Sequence, residues 1–209
     1  MKKLITIFLL ILTLNTIGQI KIGVYFQPEI SFANWDLYWF TPSFGFISNI
    51  PIYKQLSFIA GIGYKSKQID GGWLSYLHDQ IPTDTYLVKT IPLQIKLKYN
   101  FLTPGKKIEI YAVSGMIFDF CIYQKFTYNL NYQPDQIINK IDYYDGHISI
   151  GLGIEYQLNR ISFFGEPAFN IGFAHNRNYY HPYTNSVSMN LGIYYIIKPK
   201  KQTKNLNYR

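Results

Sequence analysis

Asp145, His147 and Ser149 stand at alternate positions. On an extended strand that spacing puts all three on one face. An acid orienting an imidazole beside a hydroxyl is the arrangement that activates a nucleophile for hydrolysis. The coincidence is weak, because His147 has the parity of its strand's polar face, where any polar residue is ordinary. The other histidines, His78, His175 and His181, fall in predicted loops. No His/Asp/Glu cluster has metal-ligand spacing, and no glycine loop has the form that cradles phosphate or a dinucleotide. The single cysteine, Cys121, excludes a disulfide framework and a Cys-based zinc site. No catalytic residue, metal or cofactor is expected, and the chain is not read as an enzyme.

The elements that would carry these residues are strands. Leu93, Ile95, Leu97 and Tyr99 alternate with Gln94, Lys96 and Lys98. Ile148 to Tyr156 alternates with Ser149, Gly151, Gly153, Glu155 and Gln157. The same period of two runs through residues 57–65 and 187–195, the mark of strands with chemically different faces. Each apolar face ends in a tyrosine: Tyr64, Tyr99, Tyr156 and Tyr195. The opposite faces are polar and rich in glycine, as in a crowded interior where backbones approach closely.

Length, 48% apolar residues and 18% aromatics describe one folded domain. The formal charge of +8 is uneven. Lys2 and Lys3 begin the chain, and Lys198, Lys200, Lys201, Lys204 and Arg209 end it, so the body between is nearly neutral. A nucleic-acid reader spreads its cations over a folded face, so no nucleic-acid partner is expected. Residues 1–18 read as a signal peptide: a basic start, a short apolar core from Leu4 to Leu14, and small residues before Gln19. No later apolar run is long enough for a membrane helix.

Strands are expected at 20–32, 40–50, 56–68, 85–99, 107–123, 146–157, 160–174 and 184–197. Short connections alternate with long ones. Eight strands long enough to cross a membrane wall, with this loop asymmetry, predict an eight-stranded antiparallel up-and-down transmembrane β-barrel over 19–197. The expected location is the bacterial outer membrane, with periplasmic termini and a basic periplasmic tail at 198–209.

Residues Tyr86-Leu87 and Ile91 to Tyr99 resemble the fourth strand, YLEIPLLLKY, of the PorT-like outer-membrane barrels of Bacteroidetes, relatives of small OmpX/OmpA-type barrels. Ile22 to Val24, Ile148 to Tyr156 and Ser188 to Tyr195 extend the resemblance along the mature chain. It implies the fold and the location, and membership beside accessories of gliding and secretion. Val88-Lys89-Thr90 departs from the family pattern in lacking an acidic residue. The tail also departs, because such barrels are expected to end on an aromatic near the C-terminus.

An eight-stranded barrel is just wide enough for side chains to fill it, so no open pore is expected. Lysines on the lipid face cost about 2–4 kcal/mol near the midplane; Lys65, Lys96 and Lys98 should point inward or lie near a rim. Glu29, Asp119, Glu155 and Glu166 share inward parity, which predicts a charge network joining some of these acids to Lys21, Lys96 and Lys98. In the fifth strand Tyr111 and Phe118 have opposite parity, and a bulge near Gly115 would reconcile them.

Trp73, Tyr76, Arg177, Tyr179 and Tyr180 lie in long loops and are of the types that anchor partners. They equally suit an aromatic girdle or contact with lipopolysaccharide sugars. The expected partners are outer-membrane lipid and lipopolysaccharide, with a protein partner reached through the loops or the tail. The tail is either a docking peptide or a solvated extension. Two alternatives remain. A lipid-modifying barrel enzyme requires His147 and Ser149 within hydrogen-bond reach, and a soluble exported lipocalin-like ligand binder requires an apolar interior.

Overall fold

The computed structural model describes residues 19–32, 39–70, 83–104, 107–128, 136–138, 142–175 and 185–197. Residues 1–18 and 198–209, expected to be a signal peptide and a basic tail, lie outside these, as do most of the expected long loops. The strands are β1 (Ile20–Phe32), β2 (Trp39–Tyr53), β3 (Leu56–Asp70), β4 (Thr83–Leu102), β5 (Ile108–Tyr128), β6 (Gln136–Ile138), β7 (Asp142–Leu158), β8 (Ile161–His175) and β9 (Asn185–Ile197). Every pairing is antiparallel, and each long strand lies beside its sequence neighbour. Pairing of β1 with β9 closes the sheet. The result is a closed eight-stranded meander. The short β6 adds beside the upper end of β5, at Gln124–Phe126.

Turn chemistry sets the register at one end. Lys54 and Asn159 take left-handed φ values of 39° and 57° in two-residue connections. Asn tolerates that conformation better than most side chains. At the other end β4 and β5 run to 20 and 21 residues, against 13 for β1 and β9, so one side of the loop rim is raised.

The alternation read from sequence becomes inside and outside. Leu97, Leu152, Ile154, Leu191 and Ile193 stand exposed on the outer wall, while Lys96, Lys98, Glu155 and Asn190 are buried within. Among the described residues, five lysines and five carboxylates are buried. This inverts a soluble ligand-binding barrel and suits a wall surrounded by hydrocarbon. Tyr99, Tyr156 and Tyr195 project outward near the turn end, as an interfacial belt requires. Tyr64 does not join them. Strand β3 continues to Asp70, so Tyr64 sits within it opposite Phe44, with ring centroids 5.6 Å apart.

The expected bulge near Gly115 is absent. Through that stretch β5 keeps one parity, with Tyr111, Val113, Ile117 and Asp119 all buried. Tyr111 and Phe118 differ because Tyr111 points inward and Phe118 outward. Register breaks occur higher, at Lys89/Thr90 between β4 and β5 and at Asp119/Phe120 between β5 and β7. Beyond them, the buried positions step from Cys121 to Gln124.

Tyr111 fits because glycine faces it. Four inward rings each lie opposite a glycine on the neighbouring strand: Tyr111 opposite Gly153, Phe164 opposite Gly192, Tyr194 opposite Gly23 and Tyr25 opposite Gly45. A Cβ on Gly153 would collide with the Tyr111 ring. Alternating large and small side chains is how a narrow barrel fills without strain. Gly153→Val should therefore cost at least about 1–3 kcal/mol. Adding Tyr111→Ala should recover part of that loss, because the two share one space. Urea titration of the barrel in lipid vesicles measures both.

Candidate functional site: the charged barrel interior

Inward charges gather in three layers along the barrel axis. The lowest lies at the turn end. Lys21 Nζ is 2.6 Å from one carboxylate oxygen of Glu155, and Lys98 Nζ is 2.7 Å from the other. Glu109 completes the group, 3.1 Å from Lys98 and 3.5 Å from Lys21, and accepts a hydrogen bond from Asn100 Nδ2. Its side chain is 28% exposed, against 1% for Glu155, so Glu109 is where this layer meets solvent.

The middle layer is mostly apolar. Tyr25, Ile47, Ile59, Tyr111, Val113, Phe164 and Tyr194 form one buried cluster. Phe164 and Tyr194 stack with centroids 4.6 Å apart. One ion pair crosses the layer: Lys96 Nζ lies 2.9 Å from Glu166, with both side chains 2% exposed. The Tyr111 hydroxyl donates to the second Glu166 oxygen at 3.4 Å, and Lys98 Nζ sits 4.0 Å above the Tyr111 ring. Tyr111 thus couples the lower layer to the middle one.

The third layer lies towards the long loops. Lys65 Nζ lies 3.1 Å from both Glu29 oxygens and 3.1 Å from Asp119. Ser31 Oγ donates to Glu29. His147 Nε2 is 3.3 Å from Asp145 and 3.9 Å from Asp119. Lys67 lines the same small cavity of about 10 Å³, roughly the least that admits one water.

The structure thus gives each sequence-selected acid a cation, in three layers of which the lower two are linked through Tyr111. Glu155 meets Lys21 and Lys98; Glu166 meets Lys96; Glu29 and Asp119 meet Lys65. Asp145 lies beside His147, as the alternate spacing implies, whereas Glu109, Lys67 and the pairing role of Lys65 do not follow from the sequence reading. Glu109 has the parity of Asp119, so its inward direction was readable once β5 was known to run without a bulge at Gly115. Trp73, Tyr76, Arg177, Tyr179 and Tyr180 lie outside the described residues.

On the Asp145/His147/Ser149 face, His147 Nε2 lies 3.3 Å from Asp145, but no hydrogen bond joins His147 to Ser149. Ser149 Oγ and His147 Nδ1 each lack a hydrogen-bond partner among the described residues, and Ser149 is fully buried. Among these residues no His/Cys/Asp/Glu group is arranged to hold a metal. In the upper layer Lys65 already supplies positive charge to Glu29 and Asp119. Glu29, Asp119, Glu155 and Glu166 thus each have a lysine within 3.1 Å.

No protein-family model matches the chain, and no curated protein sequence matches it. Its fold is similar to that of Ail, the attachment invasion locus protein of Yersinia pestis, with a TM-score of 0.53 and 9% identity over 86% of this chain and 99% of that one. It is also similar to a major outer membrane protein from Thermus thermophilus, with a TM-score of 0.53 and 13% identity over 83% and 99%. Such identities speak to the fold. The chain has the closed eight-stranded architecture of small outer-membrane barrels.

Breaking one half of a buried pair leaves an uncompensated charge, at a cost of about 3–5 kcal/mol, whereas replacing both partners by apolar groups is often near neutral. Glu166→Gln should therefore destabilise the barrel by about that amount, and the double variant Lys96→Met/Glu166→Leu should regain most of it. Equilibrium unfolding in vesicles distinguishes the two. An equal loss in both variants would mean that the pair does more than satisfy itself.

Proposed function

We propose that this chain is a small barrel of the bacterial outer membrane, closed to diffusion, with both termini periplasmic and a structural or interaction role. The carrying observation is the filled interior: paired charges at both ends of the bore, with the apolar cluster of Tyr25, Ile47, Ile59, Tyr111, Val113, Phe164 and Tyr194 between them. The apolar outer wall supports membrane residence, and the likeness in fold to outer-membrane barrels supports that membrane in particular.

The finer reading is an accessory to a secretion or cell-surface machine, of the PorT-like Bacteroidetes group. The fourth-strand segment from Ile91 to Tyr99 supports it. The proposed contacts are outer-membrane lipid and lipopolysaccharide around the wall. A protein partner would meet the loop residues Trp73, Tyr76, Arg177, Tyr179 and Tyr180, or the basic tail. A role without catalysis is favoured by burial of Ser149 away from any lipid and by the absence of a hydrogen bond between it and His147. No nucleic-acid partner is proposed, since the cationic surplus is terminal.

Planar-bilayer recording of the refolded chain tests the closed bore, and no discrete conductance steps are expected. Steps of constant size would overturn it. Affinity capture from cross-linked outer membranes, with and without residues 198–209, tests the accessory role. A partner lost on truncation assigns docking to the tail, and a partner retained assigns it to the loops. Recovery of no partner by either form would sink the accessory reading.

A further inference from the structure

The outer wall carries a dent with a cation at its edge. Tyr195, Ile22, Ser48 and Ala60 face one another in turn across β9, β1, β2 and β3. In the next row towards the loops, Val24 faces Phe46 and Phe46 faces Ile62. A serine and an alanine among such large neighbours leave an apolar groove of about 650 Å³. That is within the range of small-ligand sites, about 300–1,000 Å³. Ser48 Oγ donates to the Ala60 carbonyl at 3.2 Å, so the one hydroxyl in the floor is already satisfied.

At the turn-end edge, Arg160 Nη1 donates to the Tyr195 hydroxyl at 3.3 Å. The Arg160 carbonyl accepts from the Ile196 amide at 2.8 Å, which holds the β7–β8 turn against β9. None of the ion pairs among the described residues includes Arg160. A guanidinium has five donors in a planar fork that matches a phosphate, and Tyr195 orients one of them. The neighbouring β2–β3 turn places Lys54 Nζ 5.2 Å above the Tyr53 ring. No described residue of the three short turns is acidic, so the rim favours an anion.

We propose that Arg160, Tyr195 and the groove running to Ala60 form a binding site for an anionic glycerophospholipid. Its phosphodiester sits on the guanidinium, and one acyl chain lies along the groove. The site rests on the reading of this chain as a membrane barrel. It adds a particular lipid at a particular place on the wall. A second groove, of about 480 Å³ beside Ala112 and Ser114, ends at Tyr99. Among the described residues Tyr99 has no cation, so this groove serves as the internal comparison.

The test is native mass spectrometry of the folded full chain in detergent, titrated with phosphatidylglycerol, phosphatidylcholine or lipid A. Phosphatidylglycerol should be retained over phosphatidylcholine by about tenfold, the worth of one charge-assisted contact. Arg160→Gln should abolish that preference and Arg160→Lys should keep most of it. Ala60→Phe should lower retention of both phospholipids, while Ser114→Phe leaves it unchanged. An undiminished preference in Arg160→Gln overturns the proposal, as do equal effects of Ala60→Phe and Ser114→Phe, or stronger retention of lipid A. Heat-modifiable gel mobility checks that each variant is folded. A wild-type chain that never shows it fails both readings, whereas a folded barrel without lipid preference fails this site alone.

Discussion

Pairing of β1 with β9, from Ile20 opposite Ile197 to Phe32 opposite Asn185, turns a meander into a wall without edges. In hydrocarbon each unpaired backbone group costs several kcal/mol, so a sheet can cross only if it closes. Closure at eight strands also sets the bore, which is just wide enough for side chains to fill. From that constraint follow the glycine opposite each interior ring, the lysines that must find acids, and an apolar exterior that is wall instead of core.

The interior pairs bear more on register than on net stability. Buried ion pairs gain little over well-packed apolar groups, because desolvation offsets their attraction. A slip of one residue in β4, however, would turn Lys96 and Lys98 into lipid and Leu97 inward. Each lysine there would cost about 2–4 kcal/mol. Lys98 is tied to Glu155 on β7 and Lys96 to Glu166 on β8, so strands that never pair directly are held in a common register. Between the ionic layers, the rings of Tyr111 and Phe164 pack inside because Gly153 and Gly192 leave them room, and Tyr194 stacks on Phe164.

The outer wall answers to a different medium. Most of it is a uniform apolar surface, which lipid wets without preference. Where Ser48 and Ala60 interrupt it, the surface acquires shape, and where Arg160 meets Tyr195 it acquires charge. Shape and charge together can distinguish one lipid from another, and neither does so alone.

Period-two alternation and loop order made the eight strands and their faces legible, because a wall between lipid and packed interior imposes opposite chemistry on successive residues. Lys96, Lys98, Glu155 and Glu166 could be aimed inward for that reason alone. Partnership was another matter. Which acid meets which lysine depends on strand stagger and on side-chain reach across the bore, between residues as far apart as Lys21 and Glu155. Parity alone cannot tell whether Tyr111 and Phe118 share a face across a bulge or lie on opposite faces; the glycine across from Tyr111 decides that its ring fits inside. Likewise the lipid groove joins residues of β9, β1, β2 and β3, which only closure brings side by side. Local chemistry thus determined the faces, the count and the medium. The tertiary structure alone decided the pairs, the packing and the sites, because each depends on distances between strands that the linear chain does not contain.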